Sequence, residues 1–437
     1  MGGIFKRSYK EALEREYYSY DQWKEYQTRE LRKILLHAYD TVPFYQEKYR
    51  NAGLSRDFLA YITLEKLRLL PFLTKDELRK YGKTTLLSSG KGRGIYSYSS
   101  GSTGTPTALY FGRSFHQKWF GIFEARVRHW AGVSTKLARG MIGGRRILPK
   151  SKFEPPYYRY NIFEKQTYFS AYHITPQTAA NYIEGMQRHH VKYMTGYAMS
   201  NFFLAEYIEK NGLQAPKMTA VLTSSEKLTA EMRQVLERVY DCKVFDGYSG
   251  SESCGLISEN QAGELLVSPD VGIMEFIKDD LSYAENSEVG EIVSTGFLNY
   301  DQPLIRYRIG DRALLSQNQD TTSDHCMTKV DEIIGRVEDV IIAKDGRKMV
   351  RFPGLYQEIK GLAVAQVEQH DFDHFTFNLV CDDSYNIRIS EKTIKTRLES
   401  QVGKVNTVFN YPESLPPEKN GKIKAVISHV NVQDKTE

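Results

Sequence analysis

The stretch that most constrains this chain is residues 98–107, Tyr-Ser-Ser-Gly-Ser-Thr-Gly-Thr-Pro-Thr. Its small and hydroxyl-bearing side chains offer too little apolar surface to form a packed element. Gly101 and Gly104 permit positive φ angles and close approach of the backbone, while the hydroxyl groups can donate hydrogen bonds to an anion. The segment therefore predicts a phosphate-holding loop, with a solvated Ser/Gly linker as the alternative. Pro106 and the apolar run at 107–111 favour the loop.

Two further hydroxyl-rich turns follow apolar runs near the middle of the chain. The run at 218–222 leads into Thr-Ser-Ser-Glu at 223–226, and a predicted helix at 229–240 comes next. A predicted strand at 243–246 then leads into Gly-Tyr-Ser-Gly-Ser-Glu at 247–252. Alternation of strand, polar loop and helix indicates an α/β fold, in which loops at the carboxyl ends of strands form the ligand crevice. We expect the three polar loops to lie along one edge.

Local signals predict several element boundaries. Apolar residues at three- and four-residue intervals over 11–38 predict one or two amphipathic helices, and Thr74 has the spacing of a capping box. Ser200 is the expected N-cap of a helix that ends at Asn211-Gly212. A strand is expected at 303–308, with Gly310 and Asp311 at its end.

The length of 437 residues suggests two or three domains. We predict a large domain at 1–337, helical over 1–85, and a small α+β domain at 338–437. The net charge of +5 is small for this length and gives no support to nucleic-acid binding. The four cysteines are far apart, which favours a reducing cytoplasm over a disulfide framework. No apolar run long enough to predict a membrane span is present.

Together these segments resemble the adenylate-forming superfamily, in its phenylacetate-coenzyme A ligase family and nearest to the members that serve capsular polysaccharide biosynthesis. The resemblance covers nearly the whole chain. Its motifs are Leu-Arg-Lys-Ile-Leu-Leu-His-Ala-Tyr-Asp-Thr-Val-Pro-Phe-Tyr at 31–45, Leu-Pro-Phe-Leu-Thr-Lys at 70–75, the loop at 99–107, Tyr-Ser-Gly-Ser-Glu at 248–252, Arg-Tyr-Arg-Ile-Gly-Asp at 306–311, Gly-Arg at 335–336 and Leu-Pro-Pro-Glu-Lys-Asn-Gly-Lys at 415–422. It implies a large adenylate-forming domain of sheets flanked by helices and a small, mobile α+β C-terminal domain. Ser249 departs from the family's usual Gly, and Glu338 stands at the hinge where Asp or Lys is usual.

The resemblance implies ATP and Mg²⁺ as cofactors and assigns their contacts. The residues implied to hold the β- and γ-phosphates are Ser99, Ser100, Gly101, Ser102, Thr103, Gly104 and Thr105. Those implied to contact adenine, the α-phosphate or the ribose are Ser224, Ser225, Glu226, Tyr248, Ser251, Asp311 and Arg336. Glu252 is implied to hold Mg²⁺, although taken alone it would be a solvated loop carboxylate. Lys422 is implied to bridge the carboxylate and the phosphate, with Lys419 and Lys424 as rivals.

The same resemblance implies where the acid substrate binds. Phe169, His173, Tyr197 and Gly250 correspond to the family's acyl-binding walls, and aromatic walls suit an aryl or short acyl acid. For His173 taken alone, a structural histidine is the alternative. Cys254 has no histidine near it in the sequence, so we expect no metal other than Mg²⁺.

The leading hypothesis is an ATP-dependent acid ligase that passes its acyl group to coenzyme A, a carrier protein or an amino sugar. The alternative is a non-catalytic nucleotide-binding scaffold in polysaccharide assembly. A P-loop NTPase is disfavoured because the sequence lacks G-x-x-x-x-G-K-[ST]. Dimers occur in the family, so the resemblance leaves a homodimer open.

Overall fold

The structure, a computed structural model, describes residues 2–98, 107–145, 147–148, 154–320, 325–334, 341–344, 348–349, 355–356, 359–415 and 425–430. It forms two compact units. The first contains the described residues of 2–98, 107–134 and 245–334, and the second contains those of 135–244 and 341–430. None of the helices in these ranges has the length and apolar character that a membrane crossing requires.

The helices are α1 (Gly3–Glu14), α2 (Tyr20–Thr41), α3 (Pro43–Asn51), α4 (Arg56–Ala60), α5 (Lys75–Tyr81), α6 (Arg113–Phe123), α7 (Ala179–Arg188), α8 (Ala198–Lys210), α9 (Ala230–Tyr240) and α10 (Ile387–Val402). The strands are β1 (Gly94–Tyr98), β2 (Ala108–Gly112), β3 (Arg139–Gly143), β4 (Tyr158–Asn161), β5 (Gln166–Ser170), β6 (Tyr193–Tyr197), β7 (Ala220–Ser224), β8 (Lys243–Tyr248), β9 (Ile257–Glu259), β10 (Leu265–Val267), β11 (Gly272–Ile277), β12 (Val289–Gly296), β13 (Tyr307–Leu315), β14 (Lys329–Ile334), β15 (Ile341–Ile342), β16 (Lys348–Met349), β17 (Leu362–Gln369), β18 (His374–Cys381), β19 (Asn406–Asn410) and β20 (Val426–Ser428). Short 3₁₀ turns at Arg15–Tyr17 and Leu64–Leu69 and a π-helical turn at Glu124–His129 complete the helical segments of the described chain.

The first unit is built on an antiparallel sheet with the strand order β11-β12-β13-β14-β10-β9-β8. The helix α2 packs its apolar stripe into the same core as this sheet, with Leu31, Ile34 and Leu35 fully buried. Their spacing of three and four residues puts them on one helical face. Ser19 and Gln22 form a capping box at the start of α2, which satisfies two backbone N–H groups there.

The strands β1 and β2 form an antiparallel hairpin, with Tyr98 opposite Ala108, so the hydroxyl-rich segment connects its two arms. Gln302 anchors the second arm from the core. Its side chain accepts a hydrogen bond from the backbone N–H of Tyr110 (2.8 Å) and donates to the carbonyls of Gly82 (2.8 Å) and Ala108 (3.3 Å). Because Gln302 is fully buried, it links the hairpin to the core where water cannot replace these bonds.

The second unit contains a parallel sheet in the order β7-β6-β3-β5, with β4 antiparallel to β5 at the edge. Helices α7, α8 and α9 contribute to its apolar core. In the later part of this unit, β17 to β20 form a separate sheet in the order β19-β18-β17-β20, whose apolar core includes residues of α10, and β15 pairs with β16. Strands β17 and β18 are antiparallel, whereas β18/β19 and β17/β20 are parallel.

The predicted α/β class is confirmed, and the capping box at Thr74 is present at the start of α5. Several predicted boundaries are wrong. Strands β7 and β8 run to Ser224 and Tyr248, so the first two residues of each polar loop predicted at 223–226 and 247–252 lie in a strand. Helix α8 begins at Ala198 rather than after Ser200, which is buried inside the helix. Strand β13 begins at Tyr307, so Gly310 and Asp311 lie within a strand and not at its end. The predicted domain boundary at 338 lies outside the described residues and stays a prediction.

A buried cluster of charged groups joins the N-terminal helical segment to the rest of the first unit. Oε1 of Glu16 accepts hydrogen bonds from Nε1 of Trp130 (2.7 Å) and lies 2.8 Å from Nε2 of His325. Arg126, fully buried, lies near Glu16 and donates to Asp270 at 3.1 Å. Burial alone would raise the pKa of Glu16, but the hydrogen bonds from His325 and Trp130 and the charge of Arg126 lower that pKa below its usual value.

We expect Gln302→Leu to lower the free energy of unfolding by at least about 2 kcal/mol, because it leaves buried backbone groups unpaired while keeping the side-chain volume. Urea unfolding measures this change. The matched control is Gln187→Leu on the exposed face of α7, which should change stability by less than about 0.5 kcal/mol. Equal effects of the two substitutions would contradict the anchoring role of Gln302.

We expect the carboxylate of Glu16 to stabilise the fold in a pH-dependent way. A carboxyl whose pKa is lowered in the folded state contributes stability above its unfolded pKa and loses that contribution as the pH falls through the lowered value. Glu16→Gln should therefore cost about 1–3 kcal/mol at pH 7, and the gap from the wild type should narrow as the pH falls below about 4.5. Urea unfolding of both proteins at several pH values measures the gap. A gap that stays constant or widens towards low pH would refute the role of the charge.

Candidate functional site

Strand β13 carries one group of the predicted site residues. Glu291 pairs with Arg312 and Val293 pairs with Arg308, so β13 advances four residues while β12 advances two. This bulge contains Gly310, whose φ of +85° lies in the left-handed region that favours glycine. Bulges redirect the side chains beside them. Here the neighbouring side chain is that of Asp311.

Tyr248 and Asp311, both predicted to contact the adenosine, are brought together. Tyr248 is the last residue of β8, and its hydroxyl donates a hydrogen bond to Oδ2 of Asp311 at 2.8 Å. Burial, and then the charge of Asp311, raises the pKa of Tyr248 well above its usual value. The phenol therefore stays protonated and remains a donor to the carboxylate at neutral pH.

Glu252 lies in the loop after β8 and is buried. Its Oε1 accepts a hydrogen bond from the hydroxyl of Tyr307 at 3.0 Å, and Tyr307 is fully buried at the start of β13. Burial and the charge of Glu252 raise the pKa of Tyr307, which keeps this donor protonated. A Cβ atom at Gly250, where φ is +60°, would lie 3.1 Å from Oε2 of Glu252. The second carboxylate oxygen thus lies close to the backbone of Gly250.

An ion pair fixes the residue before β13. The guanidinium of Arg306 donates two hydrogen bonds to Glu275, each 2.9 Å long, and further bonds to the carbonyls of Arg68 (2.9 Å) and Leu70 (2.6 Å). Arg306 and Glu275 are both buried, and the backbone of Arg306 is left-handed with φ of +47°. The strand that presents Tyr307 and Asp311 therefore starts from a fixed point.

In the second unit, Tyr197 and Ser224 are neighbours in the register of the parallel strands β6 and β7. Both lie at the carboxyl end of their strand, which is where polar loops were expected. Ser225 follows in a left-handed conformation with φ of +73°. Oε2 of Glu226 accepts a hydrogen bond from the backbone N–H of Met199 at 2.9 Å, in the first turn of α8. Glu226 thus stabilises a helix N-terminus, and this explains why α8 starts before Ser200.

The predicted acid-binding residues differ in their surroundings. Phe169 lies in β5, is buried, and packs against Tyr158 and Tyr182 in the apolar core of the second unit. His173 is half-buried: its Nδ1 lies 2.7 Å from Oγ of Ser170, and its ring stacks on Tyr157 at 5.1 Å. The structure gives both residues packing or hydrogen-bonding partners, and their contact with an acid stays a prediction.

Several predicted residues lie outside the described part of the chain. These are Ser99, Ser100, Gly101, Ser102, Thr103, Gly104, Thr105, Arg336 and Lys422. Ser251, predicted at the α-phosphate, is described and exposed.

Glu252 suits the single-carboxylate mode of Mg²⁺ binding. Mg²⁺ commonly takes one or two carboxylates and completes its shell with substrate phosphates and water. One oxygen of Glu252 is held by Tyr307, and the other lies close to Gly250. Glu252 therefore fits a magnesium ion whose other ligands would be substrate phosphate and water.

Four residues that contribute to these groups were not predicted as site residues. Tyr307 holds Glu252, Ser170 contacts His173, and Arg306 with Glu275 fixes the start of β13. Tyr307 lies within the motif at 306–311, but its contact with Glu252 depends on the folding of β13 and is not indicated by the sequence. No sequence pattern linked Ser170 to His173, because their contact depends on the turn after β5. None linked Glu275 to Arg306, because their contact depends on how the strands pair.

Comparison with known proteins places these groups in context. A family described as "CapK C-terminal domain" matches residues 341–429. Protein CapK of Staphylococcus aureus is 26% identical over 394 residues, which cover 89% of this chain and 85% of CapK. The phenylacetate-coenzyme A ligase of Escherichia coli (strain K12) is 25% identical over 347 residues, covering 75% of this chain and 74% of the ligase. These matches confirm the resemblance to the phenylacetate-coenzyme A ligase family and to its capsule-type members.

The fold also matches solved structures. A 2-hydroxyisobutyryl-CoA ligase in complex with 2-HIB-AMP and CoA superposes with a TM-score of 0.59 at 16% identity, covering 95% of this chain and 91% of that one. The same ligase in its postadenylation state gives a TM-score of 0.57 at 17% identity. At these identities the likeness establishes the shared fold and nothing further.

We expect the half-buried pair of Tyr248 and Asp311 to be energetically coupled. A double-mutant cycle of Tyr248→Phe and Asp311→Ala should give a coupling energy of about 1.5–3 kcal/mol in urea unfolding, because the hydrogen bond is made to a charged group that is partly shielded from solvent. The matched control is the exposed pair of Tyr168 and Glu164, joined at 2.7 Å, for which we expect less than about 1 kcal/mol. Equal coupling energies in the two cycles would contradict the stronger interaction expected between Tyr248 and Asp311.

Proposed function

From its relationship to CapK and to the phenylacetate-coenzyme A ligases, we propose that this chain activates a carboxylic acid with ATP and transfers the acyl group to an acceptor. The class, an adenylate-forming acid ligase, is confirmed by the ligases of Pseudomonas putida and Escherichia coli among its relatives. The observation that carries the proposal is the placement of two tyrosine–carboxylate pairs between β13 and the end of β8. Their four residues lie within the motifs that the family uses for ATP.

The proposed reaction starts with attack of a substrate carboxylate oxygen on the α-phosphorus of ATP. The new P–O bond gives an acyl-adenylate, and the bond from the α-phosphorus to the bridging oxygen breaks to release pyrophosphate. Two anions must be held together and the charge on the leaving group must be stabilised. When bound, Mg²⁺ supplies charge neutralisation at the phosphates.

The described residues have complementary parts in this proposal. Asp311 accepts hydrogen bonds from the ribose hydroxyls, and the hydroxyl of Tyr248 keeps its carboxylate oriented. The ring of Tyr248, at the end of its strand, offers a face for adenine. Glu252 would hold Mg²⁺, and Tyr307 orients its carboxylate by donating a hydrogen bond to Oε1. A protonated tyrosine suits both positions because it orients a carboxylate without neutralising it.

The remaining assignments are part of the same proposal. Residues 99–105 hold the β- and γ-phosphates, Arg336 contacts the ribose or phosphate, and Lys422 bridges the acid and the α-phosphate. Ser224 and Ser225 flank the adenine. Phe169, His173 and Tyr197 contribute to the acid pocket, which suits an aryl or short acyl acid.

For the second half-reaction we propose coenzyme A, a carrier protein or an amino sugar of surface polysaccharide synthesis as the acceptor. The relationship to CapK and the match of residues 341–429 to the CapK C-terminal domain favour a role in capsule-type polysaccharide synthesis. We also propose that a small domain from residue 338 onward rotates between the two half-reactions. The protein is proposed to act in the cytoplasm and as a homodimer.

We expect ATP–pyrophosphate exchange to be stimulated by at least one member of a panel of aryl and short-chain acids. Glu252→Gln and Lys422→Ala should each lower the exchange rate about 100- to 1000-fold, because each removes one charged group that acts on the developing charge. Tyr307→Phe should cause a smaller loss, since it only orients Glu252. The matched controls are Glu285→Gln, at an exposed loop carboxylate, and Lys419→Ala and Lys424→Ala, at the neighbouring lysines.

The exchange assay separates the proposal from its alternative. Retained ATP binding with no acid-stimulated exchange across the panel would favour the non-catalytic scaffold and overturn the ligase proposal. Loss of exchange in Lys424→Ala but not in Lys422→Ala would move the catalytic lysine and leave the reaction class intact.

A further inference from the structure

Two histidines and a glutamate converge at the end of the C-terminal sheet, and none of the three is assigned to ATP or to the acid. Strands β17 and β20 run parallel, with Gln369 opposite Ser428. His370 and His429 are the next residue after each strand, so this register makes them neighbours. The backbone N–H of His429 donates to the carbonyl of Gln369 at 2.9 Å, which extends the ladder to this point. Glu368 lies two residues before His370 and shares its face of the strand.

The side chains confirm this convergence. Nε2 of His429 lies 2.7 Å from Oε1 of Glu368, and the rings of His370 and His429 are nearly parallel with centroids 5.9 Å apart. One ligand atom from each of the three residues lies within 4.8 Å of the other two. Ligand atoms that share a tetrahedral zinc ion are about 3.3 Å apart, given bonds of about 2.0–2.1 Å. Modest side-chain rotations would bring the three ligand atoms from within 4.8 Å of one another to this spacing.

The surroundings allow such rotations. Both histidines are exposed and Glu368 is half-buried, so no core packing holds the rings in place. Nε2 of His370 lies 2.8 Å from the hydroxyl of Thr376 on β18. This contact occupies Nε2 and leaves Nδ1 of His370 available as a ligand, as outer contacts do in metal sites. The exposure also lets water complete a coordination shell.

We propose that Glu368, His370 and His429 bind one transition-metal ion of the zinc type. Two imidazoles and one carboxylate match Zn²⁺ and its neighbours in the first transition row, whereas Mg²⁺ and Ca²⁺ prefer all-oxygen shells. The site differs from the magnesium position proposed at Glu252, and it departs from the sequence-based expectation of no metal besides Mg²⁺. Strand β20 pairs with β17 over only three residues. A zinc ion at this position would link the ends of these two strands.

The test is a Zn²⁺ titration of the full-length, tag-free, metal-depleted protein by isothermal calorimetry, with excess Mg²⁺ present to occupy oxygen-ligand sites. We expect one Zn²⁺ ion per chain and a higher melting temperature when zinc is bound. The double variant His370→Ala/His429→Ala should weaken binding more than about 100-fold, beyond the 10- to 100-fold typical of an outer contact. Glu368→Gln, which preserves shape, should also weaken it. The matched control His374→Ala removes an exposed histidine of the same hairpin, held by Asp371, and should leave the affinity unchanged.

Each outcome of the titration decides the proposal. Binding that survives both the double variant and Glu368→Gln, or that falls equally with His374→Ala, overturns it. Absence of saturable binding by the wild type also overturns it and leaves Glu368 and His429 as a surface ion pair. Circular dichroism of each variant confirms folding, and Glu368→Gln tests the site independently of the double variant. Because the assay contains neither ATP nor a carboxylic acid substrate, its result does not depend on the proposed ligase activity.

Discussion

The buried ion pair between Arg306 and Glu275 is the constraint on which the first group of site residues depends. Two parallel hydrogen bonds to the carboxylate and two to backbone carbonyls hold the guanidinium without access to water. Removing one partner of such a pair leaves an uncompensated charge and typically costs about 3–5 kcal/mol. Tyr307 follows immediately, and Asp311 lies four residues further along the same strand. The positions of Tyr307 and Asp311 therefore depend on an ion pair between two residues that were not predicted as site residues.

Much of the fold could be predicted from sequence because the strongest signals are local. The apolar spacing in α2 and the capping box of α5 each act within a few residues, and both are present in the structure. The start of α8 could not be predicted in this way. Ser200 is a good N-cap by type, but the carboxylate of Glu226, on the following strand's loop, already accepts an N–H group of the first turn. A tertiary contact thus outweighed the local preference.

The site was predictable in its residue types and less so in its geometry. The motifs named Tyr248, Glu252 and Asp311, and the structure pairs the first and third directly. The partner of Glu252 was missed because Tyr307 lies 55 residues away and meets it only through the folding of β13. The end of that strand was misplaced because a bulge with Gly310 carries the strand through a position where glycine would normally signal a turn. Bulges of this kind follow from strand pairing and leave little trace in a single sequence.

The hairpin that brackets the hydroxyl-rich segment is asymmetric. All but one residue of β2 is buried, and Gln302 and Asn299 hold its backbone, whereas β1 is largely exposed, with Ile95 at 63%. Substitutions in β2 disturb the core, while those in β1 affect little beyond the strand's own ladder. Divergence among descendants of this sequence should therefore concentrate on the upstream arm. Sequence changes in β1 can therefore alter how the hairpin holds the hydroxyl-rich segment, while β2 keeps the hairpin attached to the core.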